Sequence, residues 1–384
     1  MRKNKRYWRE NDTMKICIAT DFHLSYRQYG LEEREHDFYR QYERMIDAII
    51  DEQPDIFIQL GDIFDTPYPK PIAIRHYEDG IDRLINEGIR CYGIIGNHTL
   101  VQRKGYYPID NIFDDKVTLL DEDSIRLGDV FICGLKYHPK NRNIKEKIDK
   151  LYDDAEGCRV KILLLHQILK QDQSIGYDFD EEELELNRFD YVFLGHFHQR
   201  ILRYDRTTDS VIHYVGSLNS CNITELRDEM RYGRGYTVFD TDYCFIEMKS
   251  IGSCRDYLEF NLTDDDLNEE YIGELIEILT GCDNKPIVQL NISTNDASNI
   301  YWFAEKLKSY CLRVKHTIIQ NDNMPADHET LDFSKNSIDE LVYGKFDEKW
   351  QGDLCLGLME LLGNGRIDEA KELAMETYNR QYNS

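Results

Sequence analysis

Apolar and polar positions change period several times along the chain, and each change marks an element. Short apolar runs occupy 15–20, 55–60 and 90–95, and between them lie stretches with helical spacing at about 31–52 and 72–87. In the first of these stretches Phe38, Tyr42, Met45, Ile46, Ile49 and Ile50 fall on one face, and Pro54 ends it. Short strands follow between about 117 and 135, then a polar helix at 142–155, a strand at 160–165, an acidic helix at Asp180–Leu186 and a strand at 190–194. Strands alternating with helices predict βα units and a mostly parallel sheet buried on both faces. Residues 200–250 read as antiparallel strands separated by turns, so the pattern predicts two mixed sheets packed face to face.

Past Gly252 the pattern becomes strand, helix, strand, helix, strand over 256–318, a compact βαβαβ unit. A polar, Pro-containing linker leads to two amphipathic helices at about 346–362 and 366–380, separated by Gly363-Asn364-Gly365. The domain reading is a disordered tail (1–13), a main α/β domain (14–252), the βαβαβ domain (253–320), a linker (321–345) and a helical segment (346–384).

Chemistry gathers where the apolar runs stop. KICIATDFH ends in Asp21 and His23, two apart, so continued extension would turn both side chains the same way. Four later runs end alike: IFIQLGDIFD with Asp62, CYGIIGNH with Asn97 and His98, ILLLHQ with His166, and YVFLGHFH with His196 and His198. In open α/β sheets ligands gather outside the carboxyl ends of the strands. Any one of these endings could serve a structural hydrogen bond, but five in one chain make a site. Two divalent cations about 3.5–4 Å apart are a common device for phosphate-ester hydrolysis. Asp, Asn and His donors without thiolate suit manganese, iron or zinc better than magnesium or calcium.

Charge and cysteine content restrict the alternatives. The 384 residues carry 72 acidic against 47 basic side chains, a net −25, which excludes a general basic coat for nucleic acid. Polyanion binding must then be local, through bound cations, a small basic patch or a partner. Ten scattered cysteines form no CxxC pair and predict reduced thiols rather than a disulfide framework or a zinc site. No apolar run approaches a membrane span, and no apolar segment follows the basic N-terminal residues, so neither membrane insertion nor a signal peptide is expected.

The series DxH, GDxxD, GNH, a lone His after a strand, and GHxH, in this order, resembles the calcineurin-like metallophosphoesterase superfamily. HLSYRQYGLEEREHDFY, GDIFDTPYP, QRKG after GNH, YVGS and RGYTVFD resemble, more narrowly, the SbcD nuclease family of double-strand-break repair. The resemblance implies a two-sheet metallophosphoesterase sandwich flanked by helices, a small capping domain and an ATPase-binding helical end. It implies two manganese ions per subunit, with magnesium, iron or zinc as possible substitutes. Asp62 would bridge, with Asp21, His23 and His198 on one ion and Asn97, His166 and His196 on the other. His98 would act near the leaving group with Asp65 orienting it. The sequence departs from the pattern at Thr99, where the usual residue is Asp, and at Asp65, where archaeal relatives carry His.

DNA is the substrate the resemblance implies, with duplex exonuclease (3′–5′) and single-strand endonuclease activity. Tyr26, Arg27, Gln28, Arg103 and Lys104 sit in loops beside the metal endings and are candidate DNA contacts. Trp350, Leu354, Leu358, Leu361 and Leu373 are candidate contacts for an SbcC-like SMC-type ATPase. A homodimer through helices near 72–87 and 105–114 is implied as well, as is a place in the cytoplasm at the nucleoid, or in host cytoplasm for a viral protein. Two other readings stand beside this one: a phosphoesterase of small phosphodiesters or phosphoproteins, and an architectural subunit that holds DNA ends without cutting.

Overall fold

The computed structural model describes residues 14–99, 116–139, 143–173, 176–221, 225, 233–294, 299–319, 349–363, 371, 373–375 and 377. The chain divides into two units, Met1–Gln320 and Asn321–Ser384.

In the first unit, β1 (Lys15–Ala19), β2 (Ile56–Gln59) and β3 (Arg90–Gly93) run parallel, joined by α1 (Glu32–Glu52) and α2 (Pro71–Asn86). With β4 (Val117–Leu119), β11 (Gly235–Asp240) and β12 (Phe245–Ser250) they form a six-stranded sheet in the order β12-β11-β1-β2-β3-β4. The second sheet, β5-β6-β7-β8-β10-β9, is built from β5 (Asp123–Leu127), β6 (Val130–Gly134), β7 (Val160–His166), β8 (Tyr191–Gly195), β9 (Ile201–Tyr204) and β10 (Val211–Tyr214).

Period-two alternation in β1 explains the layering. Ile16 and Ile18 point between the sheets, where they join Ile56, Ile58, Leu60, Ile162, Leu164 and Phe193. Cys17 and Ala19 point outward, to Phe57 of β2 and to Tyr42, Met45, Ile46 and Ile49 of α1. On the far side, Leu163, Leu165, Val192 and Leu194 pack against Ile144, Ile148 and Leu151 of α3 (Ile144–Asp153). Each fully buried Ile, Leu or Phe contributes about 1.5–3 kcal/mol, so these three layers supply most of what holds the strand ends in place.

The strands within residues 200–250 pair antiparallel as expected, β9 with β10 and β11 with β12; what the spacing did not give is how each pair joins the two sheets. β10 pairs antiparallel with β9 but parallel with β8, while β11 crosses to the other sheet and pairs antiparallel with β1 and β12. Hairpin-like spacing states that strands are short and turns close; it does not say which sheet offers an open edge.

A third, parallel sheet joins β13 (Tyr257–Thr263), β14 (Ile287–Ser293) and β15 (Arg313–Ile319), with α4 (Glu269–Thr280) and α5 (Ile300–Leu307) between them. Its core, with Leu275, Leu290, Ile292 and Phe303, is its own. Asp37 of α1 anchors it: the carboxylate is fully buried and takes bonds from Arg34 Nη1 (2.7 Å) and Arg255 Nη2 (3.0 Å). Here the periodicity of 256–318 and the observed elements agree.

In the second unit a helix spans Lys349–Gly363, and residues 371, 373–375 and 377 are helical. A side chain added to Gly357 would meet Leu373 at 2.8 Å, so the two helical pieces touch there. Trp350, Leu354, Leu358 and Leu373 are half-buried, and the side chain of Leu361 lies outside the described residues.

Candidate metal centre

The carboxyl ends of β1, β2 and β3 and of β7 and β8 open on one edge of the sandwich, and there the seven candidate ligands converge. The route is not continued extension. β1 stops at Ala19, and Asp21 (φ 54°) and His23 (φ 46°) are left-handed, as are Asp62 (φ 48°) and His196 (φ 78°). Four non-glycine residues in this region, each costing about 1–3 kcal/mol, are held only where the surrounding fold over-determines them. The glycines of the GD and GH motifs make room: a Cβ on Gly61 or Gly195 would stand 2.6 or 2.7 Å from His166 Nδ1.

Asp21 is fully buried. Its Oδ2 accepts from Thr20 Oγ1 (2.8 Å) and from the His196 amide (3.1 Å). Its Oδ1 accepts no hydrogen bond, yet lies 3.9 Å from His23 Nε2, 3.9 Å from His166 Nε2 and 3.7 Å from His198 Nε2. Asp62 places Oδ2 3.1 Å from His166 Nε2, and its Oδ1 accepts the His98 amide at 2.9 Å. Asn97 Oδ1 is 3.1 Å from the same His166 nitrogen, and His23 Nε2 faces His198 Nε2 at 3.1 Å. Asp62 belongs to both an Asp21–His23–Asp62 group and an Asp62–His166–His196 group, each with donor atoms within 4.8 Å. A buried anionic oxygen without a donor, ringed by imidazole nitrogens, fits divalent cations, and the shared Asp62 is where two would meet.

Outward-facing imidazole nitrogens are fixed by acceptors. His166 Nδ1 donates to the Leu60 carbonyl at 2.6 Å, and His98 Nδ1 to the Asp65 carbonyl at 2.7 Å. His198 Nδ1 is 3.1 Å from Glu225 Oε1. In the neutral ring each acceptor places the proton on Nδ1 and leaves Nε2 as the inward lone pair. Orientation of His98 thus comes from the backbone of Asp65, whose carboxylate stands 3.8 Å off.

Burial and charge divide the site. Burial raises Asp21. It works the same way on Asp62, but His166 prevails and holds that carboxyl well below the ordinary range. Burial would lower His166, but Asp62 pushes it up to about 9. His198 is raised against burial by Cys221 and Glu225. Burial drives His23 well down and His196 down to about 3.

Other candidates fall differently. Thr99 is buried and its hydroxyl donates to the Gly96 carbonyl (3.0 Å), closing the GNH turn. Gln28 is buried, donates to the carbonyls of Ser220 (3.3 Å) and Cys221 (2.7 Å) and accepts from Arg34 (2.8 Å), so its amide serves the interior. Arg27 is exposed and paired with Glu35 at 2.9 Å, while Tyr26 packs edge-on against Phe38. Arg103 and Lys104 lie outside the described residues. Sequence reasoning missed Glu225, Cys221 beside His23 and His198, and Asp178 3.7 Å from His196. No motif marks them. Among the described residues no two cysteines form a disulfide.

Residues 14–200 match the calcineurin-like phosphoesterase family. The DNA double-strand break repair protein Mre11 of Methanocaldococcus jannaschii is 31% identical over 96% of this chain and 100% of its own length. Mre11 of Methanococcus maripaludis is 30% identical over 73% of this chain and 78% of its own. Mre11 of Thermoplasma acidophilum is 30% identical over 71% and 75%.

Proposed function

The chain belongs to the Mre11 family of calcineurin-like phosphoesterases, and from that premise we propose a two-metal DNA nuclease that trims duplex ends and cuts single strands. It is a metal-dependent phosphodiester hydrolase. The observation that carries the finer reading is Asp21 Oδ1, buried, without a hydrogen-bond donor and facing three imidazole nitrogens.

Asp21, His23, Asp62 and His198 would hold one cation, and Asp62, Asn97, His166 and His196 the other, with manganese the best match to these donors. When bound, such a pair supplies Lewis-acid neutralisation of the phosphate charge during in-line displacement. The protein's own residues do the rest. Asp62 fixes the spacing of the two groups, and the Nδ1 bonds of His166 and His98 hold their rings. The His98 side chain is 39% exposed, so substrate can reach its Nε2, which exchanges a proton with the departing oxygen. Tyr26 and Arg27 are the surface candidates for backbone contact, Arg27 by exchanging Glu35 for a phosphate.

The helical second unit would serve an SMC-type ATPase through Trp350, Leu354, Leu358 and Leu373, and the helix at Pro71–Asn86 a second copy. Residues 105–114 of that dimer surface lie outside the described residues. The domain reading stays as proposed, the third sheet being the cap. Among the described residues no helix is long and apolar enough to cross a membrane, and the place of action would be wherever DNA ends arise.

The test is hydrolysis of labelled duplex and single-stranded DNA with manganese, magnesium or chelator, beside His98→Ala. Expected is manganese-dependent cleavage, abolished by chelator and reduced about 10²–10⁴-fold in the variant. Turnover of bis-p-nitrophenyl phosphate with intact DNA would retain the hydrolase and reject DNA as its substrate.

A further inference from the structure

We infer that Glu225 is a positioning residue that sets the His198 imidazole for one of the two cations and makes the two sites unequal in affinity. The inference rests on the reading of the seven residues as an ion centre. Glu225 is 8% exposed and lies 27 residues beyond His198 in the chain. Its two oxygens have separate tasks: Oε1 stands 3.1 Å from His198 Nδ1, and Oε2 accepts the Cys221 amide at 2.7 Å.

A single guanidinium locks the arrangement. Arg234, 2% exposed, donates from Nη2 to the Glu225 carbonyl at 2.8 Å and from Nη1 to the His198 carbonyl and to Ser217 Oγ. The backbones of ligand and carboxylate are thereby tied to one rigid group, and their side chains can meet in only one way.

The chemistry follows from what each group can accept or donate. An ionised carboxylate only accepts, so in the neutral, ligand-ready ring the His198 proton sits on Nδ1 and the Nε2 lone pair is the one turned toward His23 Nε2 and Asp21 Oδ1. A carboxylate behind a ligating imidazole also makes it a stronger donor than a carbonyl does. His166 has only the Leu60 carbonyl behind it, and Asp178 stays 3.7 Å from His196. Among the described residues, then, the ion that His198 touches receives the stronger imidazole.

Glu225→Gln tests this sharply. The Cys221 N–H can only donate, so the glutamine carbonyl must take the place of Oε2 and its NH₂ must face Nδ1. Nδ1 is then forced to accept, which puts the ring proton on Nε2, where the cation should bind. Manganese titrations of chelator-treated wild type, E225Q, E225D, H198Q and the double variant, followed by calorimetry, separate the outcomes. Expected for E225Q is a 10- to 100-fold loss at one of two sites and no change at the other. E225D keeps an acceptor-only group and should lose less. In the H198Q background E225Q should add nothing.

Wild-type affinities in E225Q, a larger loss in E225D, equal losses at both sites, or an undiminished E225Q effect on H198Q would each overturn the proposal. A wild-type protein that takes up no manganese would overturn the ion-centre reading along with it.

Discussion

His166 carries a proton in the ion-free protein, and a cation can take its Nε2 lone pair only after that proton leaves. Burial works to lower its pKa, but Asp62 at 3.1 Å prevails and lifts it to about 9. At pH 7 the deprotonation lies about two pH units uphill, about 3 kcal/mol at 1.36 kcal/mol per unit. His198 is raised as well, on the other side of the centre. His23 and His196 are pushed down, and Asp62 is held well below its ordinary value, so none of the three has a proton to lose. Binding at His166 at pH 7 should therefore release about one proton, with any proton held by His198 or Asp21 adding to it, and manganese affinity should rise about tenfold per pH unit for each proton displaced, levelling off at His166 near pH 9. Calorimetric titration of chelator-treated protein in two buffers of different ionisation enthalpy counts those protons directly. Manganese binding with no proton release and a flat affinity from pH 6 to pH 8 would refute the Asp62–His166 ion pair. The same pair bears on the ion-free fold: with a folded pKa above the ordinary 6.5, His166 adds stability that is complete below pH 6.5 and fades as pH rises through about 9.

Two further outcomes follow from the contacts around the centre. Asp65→Ala keeps the backbone carbonyl that holds His98 Nδ1 at 2.7 Å, so single-turnover DNA cleavage should fall less than about tenfold, far less than for His98→Ala; an equal loss would assign the work to the carboxylate 3.8 Å away. Asp37→Ala strips two nearly buried guanidiniums, Arg34 and Arg255, of their carboxylate and should cost about 3–5 kcal/mol in chemical denaturation, and a cost under about 1 kcal/mol would show that solvent reaches the cluster.

Much of this molecule is written in short range. A parallel strand buried on both faces needs an apolar run, and the residues just past its end are the ones an α/β edge offers to a ligand, so Asp21, His23, Asp62, Asn97, His98, His166, His196 and His198 could be named as candidates from local pattern alone. The βαβαβ spacing of 256–318 was legible for the same reason, since each parallel crossover is contiguous in sequence. What the tertiary structure decided depends on residues that meet only after the chain has closed on itself. Local spacing could not say that β11 would leave β10 for β1, because an open sheet edge is made by strands more than 200 residues earlier. It could not say that Gln28 would turn inward to the Ser220 and Cys221 carbonyls, or that Arg27 would find Glu35. Left-handed backbone at Asp21 and His23, not continued extension, sets the direction of these two candidate side chains. Glu225 meets His198 from 27 residues further along the chain, with Arg234 bonded to the backbone carbonyls of both, and such contacts between distant segments cannot be read from residue type.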